Sequence, residues 1–310
     1  KIRKIMRENS KNVQYIKDAA KKAGFDACGI ASPTILEKDS QYLKQWLSEN
    51  KQGNIKYLEK NIEQKTDIRK VLENTKSVIA LIQNYYPEKN QNENAYYKIA
   101  KYAWGNDYHV VLKEKANTFI ETLQSKYSKA KFKIFVDSNA ILEKAWAARC
   151  GIGWIGKNTL LINKENGSFL FICIVLTDLE LNYDEMLEDN CGNCNACIDA
   201  CPTKAIEAPF HLNASKCIAY HTIENDTSEE KINTKKWIYG CDICQDVCPW
   251  NQQIPFTKEK AFSPNPDILN ITSKQWETLD EKTFNKIFNK SAVKRIGFEK
   301  MKNNIKNARE

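Results

Sequence analysis

Apolar residues recur at helical spacing over residues 10 to 23, and Gly24 then leads into a short apolar strand, Phe25 to Ile30. The same spacing predicts helices over 36 to 49 and 54 to 63. Ser77 to Gln83 is an apolar run between turn-forming residues, which predicts a buried strand, and beyond Asn106-Asp107 the pattern is helical again to about 127. Lys133 to Val136 predicts a strand, and the stretch after it a helix to Cys150. Thr159 to Ile162 and Ser168 to Leu176 read as the two arms of a hairpin around Lys164-Glu165-Asn166-Gly167, whose residue types suit a tight turn. Strands mixed with helices give an α/β (α+β) domain over 1–184. The acidic stretch Asp184 to Asn190 reads as a linker into a cysteine-rich domain, 185–255. After the loop Phe262-Ser263-Pro264-Asn265-Pro266, two basic helices are expected in a C-terminal segment, 256–310.

Composition narrows this only a little. Hydrophobic residues make up 42% of the 310, enough for a core, and the length suits about two domains. The longest apolar stretch, Phe169 to Leu176, is far short of the roughly 20 residues that span a bilayer, so no membrane partner is expected. The net charge of +8 is carried by lysine. It permits nucleic-acid or acidic-substrate binding, and it equally describes an ordinary Lys-rich solvated surface.

The cysteines change the picture most. Eight of the eleven fall in two runs that each end in Cys-Pro: Cys191-x2-Cys194-x2-Cys197-x3-Cys201-Pro202, and Cys217 followed by Cys241-x2-Cys244-x3-Cys248-Pro249. This is ferredoxin spacing for two [4Fe–4S] clusters, in which three close thiolates hold one cluster and the fourth reaches to the other. Cys191, Cys194, Cys197 and Cys248 are expected on the first cluster, and Cys201, Cys217, Cys241 and Cys244 on the second. A disulfide framework suits short secreted chains, whereas Lys1 to Lys11 is charged throughout with no apolar leader, so a cytoplasmic location is expected. Structural zinc requires neither the three-residue gaps nor the prolines. Cys28, Cys150 and Cys173 stand singly in apolar surroundings and read as buried free thiols.

Clusters usually feed a second centre, so the first 184 residues should hold a substrate site. No G-x-G-x-x-G follows a strand, and Gly151-Ile152-Gly153-Trp154-Ile155-Gly156 follows a helix with different spacing, which argues against a nicotinamide site. Asp107-Tyr108-His109 matches the start of the Asp-x-His-x-x-Gly signature by which some corrinoid enzymes ligate cobalt. Leu112 stands where the glycine should be, so His109 is not expected to be a cobalt ligand. Asp137 lies where a strand ends and a helix begins. It reads either as an N-cap or as a carboxylic acid at the mouth of an apolar cleft, its pKa raised so that it donates a proton at neutral pH. The glycines before Lys157 and Asn158 would let backbone approach a bulky ligand, and turn geometry alone would also explain them.

The tract from Asp137 to Leu161, the segment Tyr102-Ala103-Trp104-Gly105-Asn106-Asp107-Tyr108-His109 and the run Cys241-Asp242-Ile243-Cys244-Gln245-Asp246-Val247-Cys248-Pro249-Trp250-Asn251 together resemble the epoxyqueuosine reductase family over essentially the whole length. The resemblance implies a cobalamin-binding domain fused to a ferredoxin-like domain with two [4Fe–4S] clusters and a short helical C-terminal tail. It implies reduction of epoxyqueuosine to queuosine at the tRNA wobble position through cob(I)alamin. It makes Asp137 the proton donor, held protonated by burial, and places Asp137, Lys157, Asn158, Leu161 and Trp104 at the corrinoid. The sequence departs from the family pattern at Asp67-Ile68-Arg69 and at Ser138-Asn139-Ala140, and neither change removes a group the mechanism needs.

The expected partners are a tRNA carrying epoxyqueuosine in its anticodon loop and an external low-potential electron donor, with the chain acting as a monomer. Lys294 and Arg295, with Lys300 and Lys302, are the candidate RNA contacts, since a single-stranded loop lets a base be splayed into a pocket. Two alternatives stay open. A small-substrate corrinoid reductase of the dehalogenase type would bind corrinoid and no tRNA. A plain ferredoxin-type carrier would bind iron and sulfide and no corrinoid.

Overall fold

The computed structural model describes residues 2–91, 95–138, 140–225 and 232–309, with side chains from residue 10 onward. Asn139, part of the looser tract after Asp137, falls outside the described residues. Four strands make the main sheet in the order Ala27–Ala31, Ser77–Asn84, Leu170–Thr177 and Phe132–Phe135, each antiparallel to its neighbours. The two central strands read as continuous apolar runs because helices cover both faces. Ile79 and Leu81 pack with Ile16, Leu112 and Phe119, from the helices Ile2–Lys22 and Tyr108–Lys126. Val78, Ala80 and Ile82, alternating with them, pack with Trp146 and Ala147 of the helix Glu143–Arg149. Each fully buried Ile or Leu contributes about 1.5–3 kcal/mol, so register is strongly enforced: a one-residue slip would exchange the two faces.

Three expectations need correction. Residues 54 to 63 are not one helix but a 3-10 turn, Lys56–Leu58, followed by a short helix, Ile62–Thr66, with Asn61 between them in left-handed conformation at φ 55°. The turn at Lys164 to Gly167 does form, closed by reciprocal Asn163–Gly167 backbone bonds of 2.8 and 2.9 Å. Its arms nevertheless do not pair as a hairpin: Leu161–Ile162 pairs with Trp154–Ile155, while Leu170–Thr177 lies between Ser77–Asn84 and Phe132–Phe135. Gly167 marks the divergence, since at φ 65° a Cβ there would meet Asn251 Oδ1 at 2.1 Å. The C-terminal segment holds four short helices rather than two, Pro266–Asn270, Ser273–Glu277, Glu281–Ile287 and Gly297–Arg309.

These C-terminal helices close over a third core. Trp276, Phe284, Phe288 and Met301 pack with Tyr97, Ile99 and Trp104 from the N-terminal region and with Ile238 and Tyr239 of the strand Trp237–Tyr239. That strand runs parallel to Lys98–Ile99. Asn304 ties the last helix down by donating to Thr222 O at 2.8 Å and Ile238 O at 2.9 Å. No helix among the described residues is long and apolar enough to cross a membrane.

Candidate functional site

A cavity of about 830 Å³ opens between the helix Glu37–Ser48, the start of the strand Leu170–Thr177, the Asp137 loop and the turn at Phe210 in the cysteine-rich region. Its wall is largely apolar and aromatic, with Trp46, Ile141, Phe171, Phe210 and Leu212 among the lining residues. A large apolar hollow onto which a few polar groups converge is the usual form of a ligand site. A second hollow of about 430 Å³ lies among the C-terminal helices between Ile271, Gln275 and Leu279, and holds none of the expected site residues.

The polar groups of the first cavity meet at Asp137. Tyr108 donates its hydroxyl to Asp137 Oδ2, and His109 Nε2 lies 3.2 Å from the same oxygen. Both residues come from the first turn of the helix Tyr108–Lys126, whose N-cap Asp107 accepts from His109 N at 3.0 Å and pairs with His109 Nδ1 at 2.8 Å. Tyr108 is held by stacking on Phe171, with ring centroids 4.4 Å apart. Asp137 is therefore no N-cap; the helix after it begins only at Glu143. In this structure the Asp137 carboxyl is lowered from its ordinary value. The hydrogen bond from His109 lowers it more than burial raises it, and the Tyr108 hydroxyl lowers it further. The proton rests instead on His109, whose pKa is pushed up to about 9, first by the bond to Asp107 and then by that to Asp137.

Glu143 stands behind this group. Its carboxylate accepts the Asp137 N–H at 3.0 Å and the Ser138 N–H at 2.9 Å, and burial pushes its pKa up to about 7. Lys144 also lines the cavity, donates to Thr159 O at 2.8 Å and has its pKa lowered by desolvation. Sequence reasoning assigned no role to Tyr108, Glu143 or Lys144. Tyr108 lies in a segment the resemblance had already picked out, so that segment was the available signal for it.

The cysteines gather as two sets. Cys197 is raised by burial and then by repulsion from Cys248, Cys191 and Cys194, while Cys241 is raised by burial and then by repulsion from Cys217 and Cys201. Cys244 likewise feels Cys241 and Cys217 most among the thiols. Cys194 is exposed. The second set lies on the cavity side: Cys217 N donates at 2.8 Å to the carbonyl of Ala214, a cavity-lining residue. Cys150 and Cys173 are buried and Cys28 partly so, all three as free thiols, and burial pushes Cys28 up to about 12, which makes it inert.

Several expected contacts lie elsewhere. Trp104 is in the third core, its indole N–H bonded to Ile99 O at 2.8 Å, and Leu161 is in the core beneath the sheet. Lys157 turns away from the cavity and donates to Gly192 O, Cys194 O and Asn195 Oδ1 at 2.7, 2.9 and 3.1 Å, which anchors the loop bearing the first cluster. Such charge-assisted bonds contribute about 1.5–3 kcal/mol each. Lys157→Met is expected to release iron from this cluster faster than from the second, as followed by the visible absorbance during chelator challenge. Asn158 is buried, and its Nδ2 has no hydrogen-bond partner among the described residues. Lys300 donates to Ile223 O and Asn225 O and so serves the fold, whereas Lys294 is exposed. Arg295 pairs with Glu224 at 2.7 Å and is close enough to Asp137 to help lower its carboxyl. Lys302 lies on the surface 5.9 Å from the Phe298 ring centroid.

With this geometry in place, the likeness to known proteins becomes specific. Residues 190–251 match the 4Fe-4S double cluster binding domain, and residues 65–138 match the family described as Epoxyqueuosine reductase QueG, DUF1730. The epoxyqueuosine reductase of Cellulophaga algicola is 44% identical over 97% of this chain and 99% of its own length. That of Cyclobacterium marinum is 44% identical over 95% and 96%. A crystal structure of selenomethionine-labelled epoxyqueuosine reductase superposes with a TM-score of 0.90 at 28% identity, covering 97% of this chain and 81% of the other. A crystal structure of epoxyqueuosine reductase with an epoxyqueuosine-modified tRNA-Tyr stem loop superposes with a TM-score of 0.89 at 28% identity over the same shares. The chain carries sites for two iron–sulfur clusters and belongs to the epoxyqueuosine reductase family, oxidoreductases of tRNA modification.

Proposed function

We propose that this protein reduces epoxyqueuosine to queuosine in the tRNA anticodon loop, with cobalamin seated in the 830 Å³ cavity and Asp137 as the group that delivers the proton. The observation that carries the reading is the convergence of Tyr108 and His109 on Asp137 Oδ2 at the wall of an apolar cavity backed by the second cysteine set. The residues fit a corrinoid. The wall is broad and apolar, and Asn158 Nδ2, in the tract the family resemblance assigns to the corrin edge, is a buried donor with no partner among the described residues. Asn158 would bond the corrin periphery, while Ile141, Leu170 and Phe210 would pack against its apolar surface.

Net removal of the epoxide oxygen consumes two electrons and two protons and leaves an alkene and water. The chemistry that a bound, reduced cobalamin supplies is a strong nucleophile for opening the strained ring. The protein's own part is the proton. His109, with its pKa near 9, holds it at neutral pH, and Asp137 Oδ2, 3.2 Å away, is the relay through which it reaches the departing oxygen. Tyr108 fixes that oxygen's position.

Electrons would enter at the cluster of Cys191, Cys194, Cys197 and Cys248, because Cys194 is exposed, and pass inward to the cluster of Cys201, Cys217, Cys241 and Cys244 beside the cavity. The donor is an external low-potential carrier, and the protein works as a monomer. Arg295, with Lys294, would meet the anticodon stem loop near the cavity mouth, so binding should weaken as salt rises.

The test is anaerobic reconstitution with iron, sulfide and cobalamin, then single turnover on tRNA carrying epoxyqueuosine, with the nucleoside read by mass spectrometry. Loss of one oxygen that depends on added cobalamin is the expected result. Corrinoid binding without that product would point to a small-substrate reductase, and no corrinoid binding would leave an electron carrier.

A further inference from the structure

The Asp137 loop is held in an unusual shape. Asp137 has φ 47°, a left-handed backbone conformation that is uncommon for a non-glycine residue. It joins the strand Phe132–Phe135 to the helix Glu143–Arg149, so nothing in the regular hydrogen bonding of either element holds it. Beside the Tyr108 and His109 contacts to its side chain, its backbone is gripped by a carboxylate. Glu143, first residue of that helix, reaches back so that its Oε2 accepts the Asp137 N–H at 3.0 Å and its Oε1 the Ser138 N–H at 2.9 Å.

We propose that Glu143 is a positioning residue, a carboxylate latch that grips two successive backbone N–H groups and keeps the Asp137 side chain in line with Tyr108 and His109. The proposal rests on the reading of Asp137 as the proton-delivering group. A neutral side chain cannot replace the latch. A carboxylate offers an acceptor oxygen to each N–H, whereas an amide offers one oxygen and turns an NH2 donor toward the other. The helix backbone cannot take over either, since the groups left free in its first turn are N–H donors and the loop needs acceptors.

The charged and titratable groups that face Glu143 are Asp137, His109 and Tyr108, with the Cys173 thiol also within its field. Burial is the largest influence and raises its pKa to about 7, partly opposed by the two backbone bonds and by His109. The sign follows directly: above about pH 7 the carboxylate grips both N–H groups, and as pH falls through that value protonation removes one acceptor and loosens the loop. Turnover should therefore fall on the acid side of neutrality.

The deciding experiment uses reconstituted holoenzyme with Glu143→Gln, and with Glu143→Asp, whose shorter side chain cannot span both N–H groups; cluster absorbance confirms folding in each. Amide hydrogen exchange at Asp137 and Ser138 should quicken about tenfold. The kcat should fall about 10²-fold, the cost of a misplaced reacting group, at unchanged KM for tRNA. The acid limb of the pH profile should disappear in Glu143→Gln. Unchanged exchange at those amides in both variants overturns the latch. Faster exchange with full turnover, while Asp137→Asn is inactive, overturns the positioning role alone; an active Asp137→Asn overturns instead the proton-delivery reading on which it rests.

Discussion

Asp137→Asn is expected to keep both clusters and bound cobalamin and to lose turnover by about 10²–10⁴-fold, the usual contribution of a positioned acid or base. The carboxamide is nearly isosteric, so Tyr108 and His109 keep a neighbour, but it cannot pass on a proton. The substitution also removes one of the two carboxylates that raise His109. The His109 pKa should drop below its wild-type value of about 9 without returning fully to the unperturbed range, because Asp107 makes the larger contribution. Histidine proton resonances followed across pH would read this directly. In the wild-type protein, the raised His109 pKa means the proton reservoir is full below about pH 9 and empties as pH rises through that value, so turnover should show an alkaline limb there. The imidazolium's contribution to stability follows the same sign, complete below the unfolded pKa and lost on the same alkaline rise. Full activity in Asp137→Asn would end the proton-delivery assignment.

Cys244→Ser is expected to leave one cluster's worth of iron and sulfide and to abolish single turnover. Cys194→Ser should damage the outer cluster, and a small diffusible reductant able to reach the inner cluster should restore part of the rate. The asymmetry follows from position: Cys194 is exposed, whereas the Cys217 set adjoins the cavity wall through Ala214. Anaerobic iron analysis with rapid-quench product analysis separates the two variants. Equal loss of rate in both under the small reductant would contradict the inward order of electron flow.

Strong periodicity and rigid spacing were legible without coordinates. The run Ser77 to Gln83 reads as a strand because every position between its two polar ends is apolar, and the fold buries all of it. The cysteine spacing is local chemistry too, since a cluster needs thiolates at set intervals wherever the domain sits. Weak or mixed signals failed. The helix expected over 54 to 63 breaks because Asn61 adopts the left-handed conformation, which a periodicity argument does not see. The hairpin expected around Gly167 has its turn but not its pairing, because Leu161–Ile162 pairs with Trp154–Ile155 and Leu170–Thr177 pairs along its length with Ser77–Asn84, distant in sequence.

The candidate site divides in the same way. Asp137 stood out by its place between strand and helix, and the cysteines by their spacing. The protonation state of Asp137 and the roles of Tyr108, His109 and Glu143 depend on side chains from the start of one helix and the start of another meeting across the sheet. Lys157 shows the same limit: its place in a glycine-rich tract suggested a ligand contact, and only the packed chain reveals three carbonyl-type oxygens of the cluster loop around its ammonium. The cluster chemistry of the cysteines and the main strands could be read from the chain itself, because those are properties of residue type and interval, whereas the role given to Asp137 came only with the family resemblance. The lowered Asp137 carboxyl, the raised His109 and the contacts of the Asp137 loop came only with the folded chain, because pKa and orientation are set by neighbours within a few ångströms in space, and those neighbours come from distant parts of the chain.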